Sequence, residues 1–217
     1  MKIGYEAKRV YHNASGLGNY ARNLLRALAT YNPNNRYYLY NPSPGKIVFG
    51  KDYPSISEVL PKRGGSLYSK LWRQSLVSND AQNNGIKIFH GLAQELPTGL
   101  KNKGIKSVLT VHDLIFMRHP ELYNFIDKKV YTKKLKSACE RADAIVAISE
   151  QTKQDLMQFL NVEEEQIQVI YQGANPIFWD YAPNENQQEI KQRFDLPLRF
   201  ALFVGTLEKR KGVEKIL

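Results

Sequence analysis

The stretch Ser107-Val108-Leu109-Thr110-Val111-His112-Asp113-Leu114 is an apolar run, rich in β-branched residues, that stops at a His-Asp pair. Imidazole titrates nearer neutrality than any other side chain, so His112 is the first candidate for chemistry, with Asp113 beside it. The alternative is that both residues cap the strand and bond to nearby backbone. Two further apolar runs end in polar tips. Ile86-Lys87-Ile88-Phe89 leads to His90-Gly91, and Ala144-Ile145-Val146-Ala147-Ile148 leads to Ser149-Glu150, where Ser149 also begins a capping pattern for a helix over 151–160.

Two stretches could hold an anion. Gly16-Leu17-Gly18-Asn19-Tyr20-Ala21 matches the dinucleotide fingerprint G-x-G-x-x-G/A. Its glycines lie well past the first strand, however, and the second strand ends at Tyr40-Asn41 without the acidic residue that would hold a ribose, which argues against NAD. What remains is either a plain turn or a glycine loop whose free amides, at a helix N-terminus, could take a phosphate or a sugar oxygen. In Gly205-Thr206-Leu207-Glu208-Lys209-Arg210-Lys211-Gly212 the cations are either solvated turn charges or partners for a diphosphate, Arg210 as a bidentate donor and Lys211 as a point charge.

The elements that must position these residues follow one grammar. Residues 1–7 read as a strand, and a helical stripe of Tyr20, Leu24, Leu25, Leu28 and Ala29 follows the glycines. Pro33 and its asparagines end that helix, Arg36-Tyr37-Tyr38-Leu39-Tyr40 is the second strand, and residues 42–65 are loops with one strand-like run over 56–60. A helix marked by Leu67, Leu71, Trp72 and Leu76 closes at Asn83-Asn84-Gly85. Strands over 86–89, 107–111, 144–148 and 167–171 alternate with further helices. Strand, polar tip, helix, repeated, predicts an α/β fold with a doubly wound, mostly parallel, Rossmann-like sheet. Residues 1–173 form the expected domain and 174–199 a linker containing a short helix. Residues 200–217 open with a fresh buried strand, Phe200-Ala201-Leu202-Phe203-Val204-Gly205, and read as the start of a second domain.

Bulk properties narrow the class. A chain of 217 residues, 42% hydrophobic and 24% charged, can bury a core without staples, and its single cysteine, Cys139, rules out an intrachain disulfide. The N-terminus enters a strand-like run with no signal-peptide apolar region, and no apolar stretch is long enough to span a bilayer, so a cytoplasmic location is expected. The net charge of +10 asks for an anionic partner, and much of it lies in residues 127–136 and on to Arg141. In that helix Ile126, Val130, Leu135, Ala138 and Ala142 are expected on one side with the lysines fanned over the other. The result is either a solvated face or peripheral docking at the inner face of a membrane, at about 1 kcal/mol per well-placed cation. The aromatic-and-basic signature of single-strand nucleic-acid binders is missing, so no nucleic-acid partner is expected.

Taken in order, Ser15-Gly16-Leu17-Gly18-Asn19-Tyr20, Phe89-His90-Gly91-Leu92 with Glu95-Leu96-Pro97, Thr110-Val111-His112-Asp113-Leu114, residues 142–149, Val169-Ile170-Tyr171-Gln172-Gly173 and Phe203-Val204-Gly205-Thr206-Leu207 through Lys211-Gly212 resemble the landmarks of a retaining glycosyltransferase of the GT-B fold. The likeness is to family four of the nucleotide-sugar-dependent enzymes, and within it to bacterial mannosyltransferase-like members. It implies an N-terminal, acceptor-side domain of an enzyme that transfers a hexose from a nucleotide-sugar to a cell-surface glycan or lipid-linked acceptor. By the same resemblance His112 sits at the transferred sugar, and Gly16, Leu17, Gly18, His90, Asp113, Ser149 and Glu150 line the substrate site. Arg210 and Lys211 would stabilise the departing diphosphate, with no metal or other cofactor. Two departures stand out: Thr206 occupies a position where many members carry arginine, and the family's donor-binding glutamate pair is not in this sequence. The chain alone is therefore expected to show little or no transfer. The rival reading is a non-catalytic Rossmann-like module that binds a glycan or phosphate.

Overall fold

A computed structural model describes residues 1–179, 184–208 and 211–215. The chain divides into two compact units, Met1–Gln172 and Gly173–Leu217.

In the first unit, β1 (Lys2–Glu6), β2 (Arg36–Tyr40), β3 (Ile56–Val59), β4 (Ile88–Gly91), β5 (Lys106–Val111), β6 (Ala144–Ala147) and β7 (Ile167–Val169) form one sheet in the order β3-β2-β1-β4-β5-β6-β7. Every pairing is parallel. Parallel neighbours cannot be joined by a tight turn, so the crossovers carry helices. These are α1 (Lys8–His12) and α2 (Gly16–Tyr31), then α3 (Ser66–Leu71) continuing through a π-turn (Trp72–Leu76) into α4 (Val77–Asn83), then α5 (Ile115–Arg118), α6 (Phe125–Arg141) and α7 (Glu150–Leu160). The strand order reverses between β1 and β4, and such a switch opens a crevice at the carboxyl ends of the strands.

The core explains the apolar runs. On β5, Leu109, Thr110 and Val111 are all fully buried, so both faces of this strand are covered. One cluster gathers Trp72, Phe89, Leu109, Leu135, Ile145 and Leu156; another gathers Tyr5, Val10, Leu25, Tyr37, Leu39 and Leu92. In α2 the buried Ala21, Leu25 and Ala29 recur every fourth residue, and the helix closes at Asn32, just before Pro33.

Four details differ from the sequence reading. Residues Lys8–His12 are a short helix, which the glycine-centred pattern left without an element. β4 runs on to Gly91, so His90 lies inside a strand and not beyond its tip. In α6, Leu135, Ala138 and Cys139 face the core while Ile126 and Val130 are exposed. Nine residues are two and a half turns at about 3.6 residues per turn, so Ile126 and Leu135 point to opposite sides. Finally, residues 200–205 of the second unit form no strand, and Phe200, Leu202 and Val204 are exposed. A strand needs a neighbour to take its backbone groups, and the described part of this unit offers only α8 (Asn184–Arg193) and single 3-10 turns.

Candidate functional site

The crevice at the switch point is built from charge held under tension. Glu6 ends β1 beside Gly91 of β4 and is buried. Burial raises its pKa and the Arg73 guanidinium opposes the rise. Arg73 reaches it from the π-turn at 3.3 Å and binds Glu95 at 2.6 Å, tying β1 to the loop after β4. That loop packs so closely that a Cβ on Gly91 would lie 2.1 Å from the Glu95 carbonyl oxygen. A few residues on, Gln94 sits in the left-handed region at φ 62°, where a non-glycine residue is strained. Its amide donates to the Thr110 carbonyl at 3.0 Å and its side chain to the Asp113 carbonyl at 2.6 Å, which fixes the loop against the end of β5.

His112 follows β5 directly and is 7% exposed. Its Nε2 lies 2.9 Å from the Leu92 carbonyl oxygen, which can only accept, so Nε2 carries the proton. Nδ1 then accepts from the Gln172 side-chain amide at 3.0 Å. Burial pushes the pKa of His112 down, outweighing its bond to Leu92 and the nearby Asp113 charge. The ring is therefore a neutral imidazole whose one lone pair faces Gln172. It can accept a hydrogen bond from an incoming hydroxyl that replaces the amide; it is not a proton donor. Its backbone carbonyl takes the Thr152 hydroxyl at 3.0 Å, so α7 helps to set its position.

The glycine-led helix comes to the same place. The Tyr20 ring meets the His112 ring edge-on, with centroids 4.8 Å apart, and its hydroxyl shares a hydrogen bond with Thr110 Oγ1 at 3.3 Å. Thr110 Oγ1 also bonds His90 Nε2 at 2.8 Å. Burial lowers the His90 pKa to about 4, so this ring too is neutral. Tyr20, His90, Thr110 and His112 thus form one polar array drawn from α2, β4 and the end of β5.

The two glycines serve different ends. Gly16 is exposed with open space where a Cβ would stand, whereas a Cβ on buried Gly18 would fall 1.8 Å from the Asn13 carbonyl oxygen. Gly18 is there for close packing of α2 on the turn before it. Both glycines and Leu17 belong to the first turn of α2 and not to a loop. Asn13 Oδ1 takes the Gly18 amide at 3.0 Å, and Arg22 holds the Val10 and Asn13 carbonyls at 2.8 and 2.9 Å. Among the described residues no partner takes the Gly16 or Leu17 amide, which leaves these two as the donors of the helix start.

The other candidates lie around this array. Asp113 is exposed and its carboxylate takes the Ile115 amide at 3.2 Å, starting α5. It borders a cavity of about 210 Å³ lined also by Arg9, Gln94, Glu95, Tyr131 and Lys134. Ser149 caps α7 by accepting the Thr152 amide at 3.1 Å, and Glu150 is an exposed residue of the first turn, where a carboxylate suits the helix dipole. The sheet ends thus gather His90 and His112 around Tyr20 and Thr110, while Asp113 borders the separate cavity and Ser149 acts through Thr152. Lys211 is exposed in the second unit, and Arg210 lies outside the described residues. Sequence reasoning missed Tyr20, Thr110, Gln172 and the Glu6–Arg73–Glu95 set. Gln172 had a signal, since the strand-like run 167–171 stops at it as the run through Val111 stops at His112; Arg73 had none, because only the π-turn aims it at the sheet. Among the described residues no group of three or more His, Cys, Asp or Glu side chains could hold a metal.

Comparison with known proteins places this geometry. Residues 14–177 match the family model described as Glycosyltransferase Family 4. The serotype-specific mannosyltransferase WbdA of Escherichia coli is 33% identical over 178 residues, which is 77% of this chain and 21% of WbdA. The chain therefore spans about a fifth of that relative. Among solved structures, WaaG, a glycosyltransferase involved in lipopolysaccharide biosynthesis, superposes with a TM-score of 0.67 at 16% identity, covering 100% of this chain and 58% of WaaG. Alr3699/HepE of Anabaena, solved in complex with UDP, gives 0.59 at 16% identity over 90% of this chain and 50% of its own. These two likenesses establish the fold: a Rossmann-like α/β domain of the kind found in GT-B glycosyltransferases.

Proposed function

Because this chain belongs to glycosyltransferase family 4, we propose that it forms the acceptor-side part of an enzyme that moves a hexose, with mannose favoured, from a nucleotide-sugar to a cell-surface glycan or its lipid-linked precursor, with retention of anomeric configuration. The observation that carries the reading is the meeting of Tyr20, His90 and His112 at the carboxyl ends of the central strands, next to the switch point. Such a rim suits a polyhydroxylated ligand, because it presents neutral donors and acceptors on rigid elements and no fixed charge in the array itself.

In the proposed reaction the acceptor hydroxyl oxygen bonds to the anomeric carbon as the bond from that carbon to the diphosphate breaks, and the hydroxyl proton leaves with the diphosphate. His112 Nδ1 accepts a hydrogen bond from a hydroxyl of the transferred sugar once Gln172 gives way. The Gly16 and Leu17 amides meet an anionic or hydroxyl oxygen at the start of α2. Arg210 and Lys211 remain the proposed cations for the diphosphate on the strength of the sequence, and no metal or cofactor enters the scheme. The relation to WbdA favours mannose.

The test is to supply the continuous gene product that contains this chain with a panel of labelled nucleotide-sugars and a lipid-linked glycan acceptor. One donor should give product, with the anomeric configuration of the donor by NMR. His112→Ala should lower kcat at least about a hundredfold, as expected when a contact made in the transition state is lost. Undiminished turnover by His112→Ala would remove the role given to that residue, and ligand binding without transfer from any donor would favour the binding-module reading.

A further inference from the structure

We propose that the cavity between α1, β3 and residues 44–51 is a second carbohydrate subsite, holding a hexose unit of the acceptor glycan set back from the one that reacts. This rests on the acceptor-side role proposed above. The cavity is about 330 Å³, within the range of small-molecule sites and larger than the one beside Asp113. Ile47, Phe49, Ile56 and Leu60 give it apolar walls, while Tyr11 and Glu58 bring polar groups to it. Its loop is seated firmly on α1: the Ile47 amide donates to the Tyr11 carbonyl at 3.2 Å, and a Cβ on Gly45 would lie 2.5 Å from the Tyr11 Cβ.

Two polar groups of the wall are positioned but unmatched. Asn41, fully buried after β2, accepts from His12 Nε2 at 3.0 Å and donates to Glu58 Oε1 at 2.7 Å, which fixes the carboxylate. Among the described residues no hydrogen bond or ion pair takes Glu58 Oε2. Tyr11 is 3% exposed, and its hydroxyl is sealed from water with no partner among the described residues. An unmet buried donor is destabilising. Burial and the charge of Glu58 both raise the phenol's pKa, so it keeps its proton within the field of that carboxylate. A ligand hydroxyl wedged between the two accepts from Tyr11 and donates to Glu58, which satisfies both. A neutral sugar ring suits the rest, since its C–H face can lie on the apolar walls while its hydroxyls reach the carboxylate. With Lys51 and Glu58 both in the lining there is no net charge to hold a phosphate, and a bare alkyl chain would cover the carboxylate without pairing it. The cavity lies at β2 and β3 and the His90–His112 array at β4 and β5, on the same end of the sheet. At about 4.8 Å per strand the two are about 14 Å apart, so one glycan can occupy both only through sugars behind its reacting end.

The experiment is a titration of the whole 217-residue chain with mannotriose, followed through the backbone amide resonances of residues 45–51 and 56–60. It needs no nucleotide-sugar, so its outcome is separate from whether transfer occurs. Those resonances should shift with a Kd of about 1 mM, as a few hydrogen bonds and one ring face would give. Glu58→Gln keeps an oxygen for Asn41 but loses the charge, and should bind about tenfold more weakly. Tyr11→Phe should bind about fivefold more weakly while its urea midpoint stays level or rises, because it deletes an unmet donor. The proposal is overturned if mannotriose at about 50 mM leaves these amides unmoved, or if both variants bind as the parent does. It is also overturned if octanol moves the same amides and expels the trisaccharide, which would identify a pocket for an apolar chain. Transfer to a short acceptor with these amides untouched by mannotriose would sink the subsite and spare the reaction.

Discussion

Lowering the pH should destabilise the first unit through His90, and the size of the effect follows from its surroundings. His90 is held neutral because burial lowers its pKa from 6.5 to about 4. The unfolded chain therefore takes up a proton on this ring at a higher pH than the folded chain does. Stability is complete above the unfolded value and is lost as pH falls from about 6.5 towards about 4, below which both states are protonated. Integrating the two titrations between about pH 7 and about pH 5 gives a loss of about 2 kcal/mol from this one side chain, rising to about 3 kcal/mol near pH 4. The depressed pKa of His112 acts in the same direction, whereas the raised pKa of Glu6 acts against it. The perturbation that isolates the term is His90→Gln, whose amide can still bond Thr110 but cannot titrate. Urea unfolding followed by the fluorescence of Trp72, buried in the first unit, should show the parent losing about 2 kcal/mol more than the variant over that pH range. If parent and variant lose stability in parallel, the ring is not excluded from water as the structure has it, and the neutral array loses its basis.

Two further outcomes test the local geometry. Gly18→Ala should destabilise by about 3 kcal/mol in urea, because the new methyl meets the Asn13 carbonyl, which a hydrogen bond from Arg22 holds in place, while Gly16→Ala should be neutral or stabilising by up to about 1 kcal/mol. Ser149→Ala should cost about 1 kcal/mol as the loss of a helix cap, with the far-UV spectrum otherwise unchanged.

The sheet was legible because each buried parallel strand writes itself as an apolar run and each crossover as a helical stripe; β2 and the start of β3 fall where the runs do. His112 was legible for the same reason, since a strand that stops at a polar residue delivers it to the crevice. What periodicity could not show was phase and company. Ile126 and Leu135 are both apolar, and only the turn count separates a residue against the core from one in water. The meaning of the glycines also lay in tertiary contacts: a G-x-G spacing looks the same whether a ligand or the Asn13 carbonyl fills the missing Cβ. Tyr20 was read as one more member of an apolar stripe, since a hydroxyl at the end of a ring leaves no trace in a helical pattern. Residues 200–205 failed for the opposite reason: their composition is that of a strand, but strand structure belongs to pairs, and the described second unit contains no mate for them.

The widened turn at Trp72–Leu76 carries a last implication. An extra residue in one helical turn shifts the bearing of everything after it by about 100°, so the same rod can aim Trp72 at the interior, Arg73 at the sheet end and Val77 and Ala81 back at the interior. Excising one residue from this segment would restore a regular spiral and a full ladder of backbone bonds, yet it would swing the guanidinium off Glu6 and Glu95. A helix made more regular would thereby leave the mouth of the crevice with two carboxylates facing each other, and the loop that steadies His112 would lose its anchor.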